Sequence, residues 1–135
     1  MATITTPRPP LNIFDRARLD VTDAWQTLYE TPDYLIPASG PNPSKTIEAV
    51  ALLTSLIVTN ISTETVSVSL RATDGTNPFL IVNELPVPAN DFAMIELGKQ
   101  NLPSGDKVEI KVATGQTAVA HLSYVLNQRE EYEVL

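Results

Sequence analysis

The only histidine in the chain, His121, stands in the stretch AVAHLSYVLN, two residues before Ser123. A histidine near a serine raises the prospect of nucleophilic catalysis. That chemistry needs a nucleophile and an orienting carboxylate within hydrogen-bond reach of the imidazole. On a strand, Ser123 shares a face with His121 but lies about 7 Å further along it. Such a pair is not a triad. A zinc centre needs three or four N, S or O ligands, and one histidine in a chain without cysteine does not start one.

The carboxylates give no stronger signal. Glu130, Glu131 and Glu133 crowd the C-terminal REEYE. Paired acids that cleave glycosides must flank a cleft at a fixed separation, and a terminal acidic run reads instead as solvated surface. Asp74-Gly75-Thr76-Asn77 has the opening of a calcium loop but lacks its alternating ligands and bidentate Glu, so it reads as a turn. The five glycines are dispersed, and none belongs to a phosphate-cradling motif. Trp25, Tyr29 and Tyr34 have no basic residues near them in sequence, so they read as packing residues rather than a platform for stacked bases. The expectation is therefore no catalytic residue, no metal, no cofactor and no small-molecule substrate.

Composition points the same way. With 135 residues the chain fits one domain. Its formal charge of −7 disfavours phosphate backbones, so no nucleic-acid partner is expected. The start, MATITTPRPPLNIFDRARLD, lacks the unbroken apolar core of a secretion signal. IEAVALLTSLIVTNI is interrupted by Glu48, Thr54 and Ser55 and is short for a bilayer span, so no membrane contact is expected.

The elements that carry these residues read as β-strands. Residues 1–23 form an extended N-terminal arm: proline-rich, with Leu11, Ile13, Phe14 and Leu19 as scattered apolar anchors, and with one helical turn admitted at FDRARLD. Those anchors dock on the arm's own domain, stay disordered with it, or dock on a neighbouring subunit. From residue 24 to 128 short apolar runs alternate with turn residues. AWQTLYE opens the series. DYLIPASGPNPSKT is a loop, with Tyr34, Leu35 and Ile36 extended inside it. Thr46–Ile61 is long enough for a helix, but its β-branched residues favour a strand buried on both faces over part of its length. TVSVSLRAT and KVEIKVA alternate cleanly. FLIVNEL, FAMIELG closed by Gly98, and AVAHLSYVLN complete seven or eight strands, separated by DGTNP, PVPAND, LPSGD and TGQT. Regular turns and one wet face per strand predict an all-β, antiparallel, jelly-roll-like sandwich. Residues 129–135 are a charged tail, whose Tyr132, Val134 and Leu135 are either frayed or tucked into a partner.

Five motifs in this order resemble a family of small virion structural proteins of tailed bacteriophages. They are the Tyr-x-x-Pro step from Tyr29 to Pro32, Val-x-Asn from Val58 to Asn60, Val-x-Val from Val66 to Val68, Leu-Pro-Val-Pro-Ala-Asn-Asp from Leu85 to Asp91, and the Leu-x-x-Gly-Asp turn from Leu102 to Asp106. The resemblance covers about the last four-fifths of the chain and leaves the first twenty or so residues outside it. It departs at DYLIPASGPNPSKT, where a short Pro-Ala-Gly turn is usual. It implies a non-enzymatic particle component: capsid decoration or cement, neck, or tail. The implied location is the virion, assembled in the host cytoplasm. The implied partners are major capsid or neck and tail proteins, and copies of the chain itself. The expected contact residues are Leu11, Ile13, Phe14, Leu19, Tyr34, Leu35, Ile36, Tyr132, Val134 and Leu135. The competing expectations are a carbohydrate- or receptor-binding module of a phage tail or fibre and, with only His121 behind it, a small hydrolase.

Overall fold

The computed structural model describes residues 11–32, 34–36 and 45–132; at residues 11, 12, 34–36, 45–48, 99 and 128–132 it describes the backbone alone. Nine strands run through the described residues: β1 (Leu11–Val21), β2 (Gln26–Glu30), β3 (Tyr34–Ile36), β4 (Lys45–Asn60), β5 (Val66–Thr73), β6 (Pro78–Val87), β7 (Asp91–Pro103), β8 (Lys107–Val112) and β9 (Ala118–Tyr132). All strand pairs are antiparallel.

One sheet has the order β1-β9-β4. Along the far edge of β4, β7 pairs with residues 50–60 and β3 with residues 45–47, end to end. The other sheet has the order β2-β8-β5-β6. The chain crosses between the sheets so that β1, β9, β4 and β7 face β2, β8, β5 and β6. This is the two-Greek-key arrangement of a jelly roll, and the fold is the all-β antiparallel sandwich that the alternation predicts.

The core fills from the inner faces of both sheets. Val108, Ile110 and Val112 of β8 and Val66, Val68 and Leu70 of β5 face Leu53, Leu56, Leu122 and Ala120 across the sandwich, all buried. Each buried leucine or isoleucine stabilises by roughly 1.5–3 kcal/mol over leaving it in water. The long strand β4 shows how a period-2 element can look apolar on both sides. Its buried positions are Ala49, Ala51 and Leu53, then Leu56, Val58 and Asn60. The pairing shifts between Leu53 and Ser55 against both neighbours. A bulge at Thr54 thus joins two alternations of opposite phase. The outward residues are half-covered rather than buried.

Four of the five motifs meet in space as two clasps. Asn60 is fully buried. Its amide nitrogen donates to the carbonyls of Glu64, Val87 and Pro88 at 2.7, 3.0 and 3.1 Å, and its Oδ1 accepts from the Ser62 amide and hydroxyl. Asn90, at φ 53°, donates its amide to the Ser62 carbonyl. The Val-x-Asn step therefore ties the β4–β5 turn to the β6–β7 turn. The second clasp joins Tyr29–Pro32 to Leu102–Asp106. Thr31 donates its hydroxyl to the Leu102 carbonyl and its amide to the Asp106 carbonyl, and Gly105 donates to the Thr31 carbonyl. Gly105 sits at φ 84°, which glycine adopts without strain.

Three expectations change. The segment read as an arm contains β1, paired with β9 along its whole length from Leu11↔Gln128 to Val21↔Ala118, so FDRARLD is strand and not a helical turn. Its charged residues hid the alternation: Ile13, Ala17, Leu19 and Val21 turn to the core while Phe14, Arg16, Arg18 and Asp20 face out. Gly98, at φ 58°, does not close its strand; it forms a bulge through which β7 continues to Pro103. The tail read from residue 129 continues β9, with Arg129, Glu130, Glu131 and Tyr132 opposite Glu48, Ile47, Thr46 and Lys45.

Candidate interaction surface

Register places four-residue rows across the outer face of the β1-β9-β4-β7 sheet, because directly paired residues share a face. One row is Arg18, His121, Ile57 and Met94. The next is Arg16, Ser123, Ser55 and Glu96. Beyond the bulge comes Phe14, Val125, Leu52 and Asn101, and at the opposite end Asp20, Val119, Thr59 and Phe92.

This face is mixed rather than merely wet. Phe14 is 80% exposed, Phe92 58% and Met94 56%. Ile57, Leu52 and Val125 are half-buried between them. A hollow of about 440 Å³ opens beside Phe14 and Arg16, floored by Thr54, Ser123 and Val125. Exposed apolar side chains sharing one sheet face make it a candidate contact surface; Ile61, Phe79 and Leu80 are exposed elsewhere on the chain.

His121 lies at the middle of that face, exposed, beside Ile57 and across from Arg18. Ser123 occupies the next row, as the alternation in AVAHLSYVLN predicts. Among the described residues no group of three or more His, Cys, Asp or Glu is placed to hold a metal ion.

The outer face of the second sheet carries a different cluster. Arg71 Nε lies 2.9 Å from Glu109 Oε1, and the two residues are direct cross-strand partners in β5 and β8. The Arg71 guanidinium stands 4.1 Å from the centre of the Trp25 ring, and the Lys111 ammonium 5.0 Å. This corrects the expectation that Trp25 has no basic companions: they come from other strands. The only sequence signal was the alternation in TVSVSLRAT and KVEIKVA, which puts Arg71 and Lys111 on the outward side. Each such cation–ring contact is worth about 0.5–1 kcal/mol at an exposed site. Beside the cluster, Asp23, Ser67, Ser69, Glu84 and Lys111 line a polar hollow of about 210 Å³.

At the edge of the core, the rings of Tyr29 and Tyr124 stack with centres 4.0 Å apart. Burial, then the neighbouring Tyr124 phenol, push Tyr29 far above the usual tyrosine value; burial, then Asp15, raise Tyr124.

The expected contact residues fall into four groups. Phe14 projects from the outer face. Ile13 and Leu19 pack against the chain's own core, one of the two dockings left open for them. Leu11 lies in β1, Tyr34, Leu35 and Ile36 form β3, and Tyr132 ends β9; the description covers their backbones only. Val134 and Leu135 lie outside the described residues. The sequence reading missed Phe92 and Met94, which FAMIELG placed on the polar side of an alternating strand.

No protein-family model matches the chain, and no curated protein matches it. Among solved structures, the chain is similar to one titled "Structure of infectious bursal disease virus Gx strain". The match has 12% identity and a TM-score of 0.43, over 98% of this chain and 40% of that one. A second, "Structure of infectious bursal disease virus Gt strain", aligns at 12% identity and a TM-score of 0.37 over 95% of this chain and 38% of that one. The chain thus spans about two-fifths of the length of those chains. The jelly-roll assignment rests on strand order and register.

Proposed function

We propose that this chain is a non-enzymatic structural component of a virion that works through protein–protein contacts. Its motifs favour a tailed-bacteriophage particle, as capsid cement or decoration or as a neck or tail component. The observation that carries the reading is the outer face of the β1-β9-β4-β7 sheet, with Phe14, Phe92 and Met94 in solvent on a rigid scaffold. The jelly roll adds an argument by fold analogy, since capsid domains use it; lectin-type domains use it too, so the fold alone does not choose.

The carbohydrate- or receptor-binding reading has less behind it. A sugar-stacking aromatic needs an open ring face, and the Arg71 guanidinium and the Lys111 ammonium stand against Trp25. Saturable binding on a glycan array would favour that reading.

Mass spectrometry of purified particles tests the proposal. The expected result is a fixed copy number that survives high-salt washing. Hundreds of copies point to the head surface, and one ring's worth points to the neck or tail. Absence of the chain from purified particles would overturn the proposal.

A further inference from the structure

We propose that two copies of this chain pair face to face through the outer face of the β1-β9-β4-β7 sheet, about a two-fold axis that lies between the faces and runs parallel to β9 and β4. This deepens the structural reading above by naming one self-contact.

The argument begins with charge. Arg16 sits at the β1 end of its row and Glu96 at the β7 end, both exposed, and among the described residues neither is in an ion pair. An isologous contact brings one patch onto itself. A two-fold axis along the strands lays β1 of one copy over β7 of the other at the same row. Arg16 then meets Glu96 of the second copy, twice by symmetry. An axis across the strands lays β1 over β1 and β7 over β7, so Arg16 and Glu96 never meet, and when it passes through their row it sets like charges in contact, which opposes association.

The first axis also brings apolar residues together in two of the other rows, while in the fourth it lays Phe92 against Asp20. In the row of Met94 it lays the thioether over the aliphatic stem of Arg18, and His121 over Ile57. In the row beyond the bulge it lays Val125 over Leu52 and Phe14 over the Asn101 edge. Stacked sheets are commonly offset by about 30°, which at the outer strands slides facing residues by ~4 Å, within reach of an arginine side chain.

Size is adequate as well. Four strands about 4.8 Å apart, over ten residues of about 3.4 Å rise, give roughly 650 Å² per copy. Two copies together bury about 1,300 Å², inside the ~1,200–2,000 Å² range of stable specific interfaces.

Sedimentation equilibrium of the full chain tests the pairing by charge reversal. Arg16→Glu and Glu96→Arg should each weaken the dimer roughly tenfold or more, and the double variant should recover to within about threefold of the parent. Both side chains are exposed, so thermal unfolding should show every variant folded. Met94→Glu, which leaves the charge pair intact, should also weaken the dimer. A monomeric parent chain would overturn the proposal, as would single variants that dimerise like the parent or a double variant that is not rescued. A monomeric parent that still joins particles would sink this pairing and leave the virion reading standing. A chain that dimerises this way yet is absent from particles would do the reverse.

Discussion

Asn60 shows how one residue can hold two turns. Three carbonyls converge on its amide nitrogen and two donors on its oxygen, all at a buried position. Asn60→Ala leaves buried polar groups unsatisfied, and each costs about 1–3 kcal/mol. The expected loss is about 3 kcal/mol or more in denaturant unfolding; a loss within about 0.5 kcal/mol, as at an ordinary surface site, would contradict the clasp. The stacked tyrosines give a pH-dependent prediction. Their folded values lie above the unfolded one, so their contribution is fully present below about pH 10 and falls as pH rises further. Ultraviolet titration should find Tyr29 and Tyr124 resisting ionisation beyond the ordinary tyrosine range, with one resistant phenol fewer in Tyr124→Phe. His121 was legible from its strand alone, because period-2 alternation fixes a residue's face without knowledge of the fold. The Trp25 cluster was not, because Arg71 and Lys111 reach the ring only once β5 and β8 pair.

At the scale of elements, β1 carries the sharpest difference from the sequence reading. It lacked the signature of a strand because Ala17 is a weak apolar marker and Asp15 breaks the inward alternation. Its pairing with β9 supplies what its own sequence does not. An arm model predicts that removing residues 1–19 leaves a folded domain; the paired strand predicts the opposite. Removal of 1–21 strips an edge strand and exposes Ala120 and Leu122, with a large loss of thermal stability. Ala17→Asp should do the same on a smaller scale, by about 2 kcal/mol, through a charge at the core margin. The bulges at Thr54 and Gly98 were equally hidden, since a phase shift within a strand only appears against its partners. Gly98→Val should cost about 1 kcal/mol or more at φ 58°, and Gly98→Asn less, because asparagine tolerates the left-handed region.

For the whole molecule, β2, β5, β8 and β9 were readable from alternation and turn chemistry, and with them the sandwich. The jelly-roll strand order was not, because β1 and the continuations of β7 and β9 complete it. The proposed contact surface was hidden for a related reason. Phe14, Arg16, Glu96 and Met94 come from strands far apart in sequence, and only the β1-β9-β4-β7 order makes them one face. The central claim is that this face carries the protein's work on a particle. The direct test is a comparison of purified particles assembled with the parent chain and with a Phe92→Ser, Met94→Glu double variant, quantified by mass spectrometry. The account predicts an unchanged unfolding temperature for the isolated variant and at least a tenfold drop in its copies per particle. Undiminished incorporation of the folded variant would contradict it.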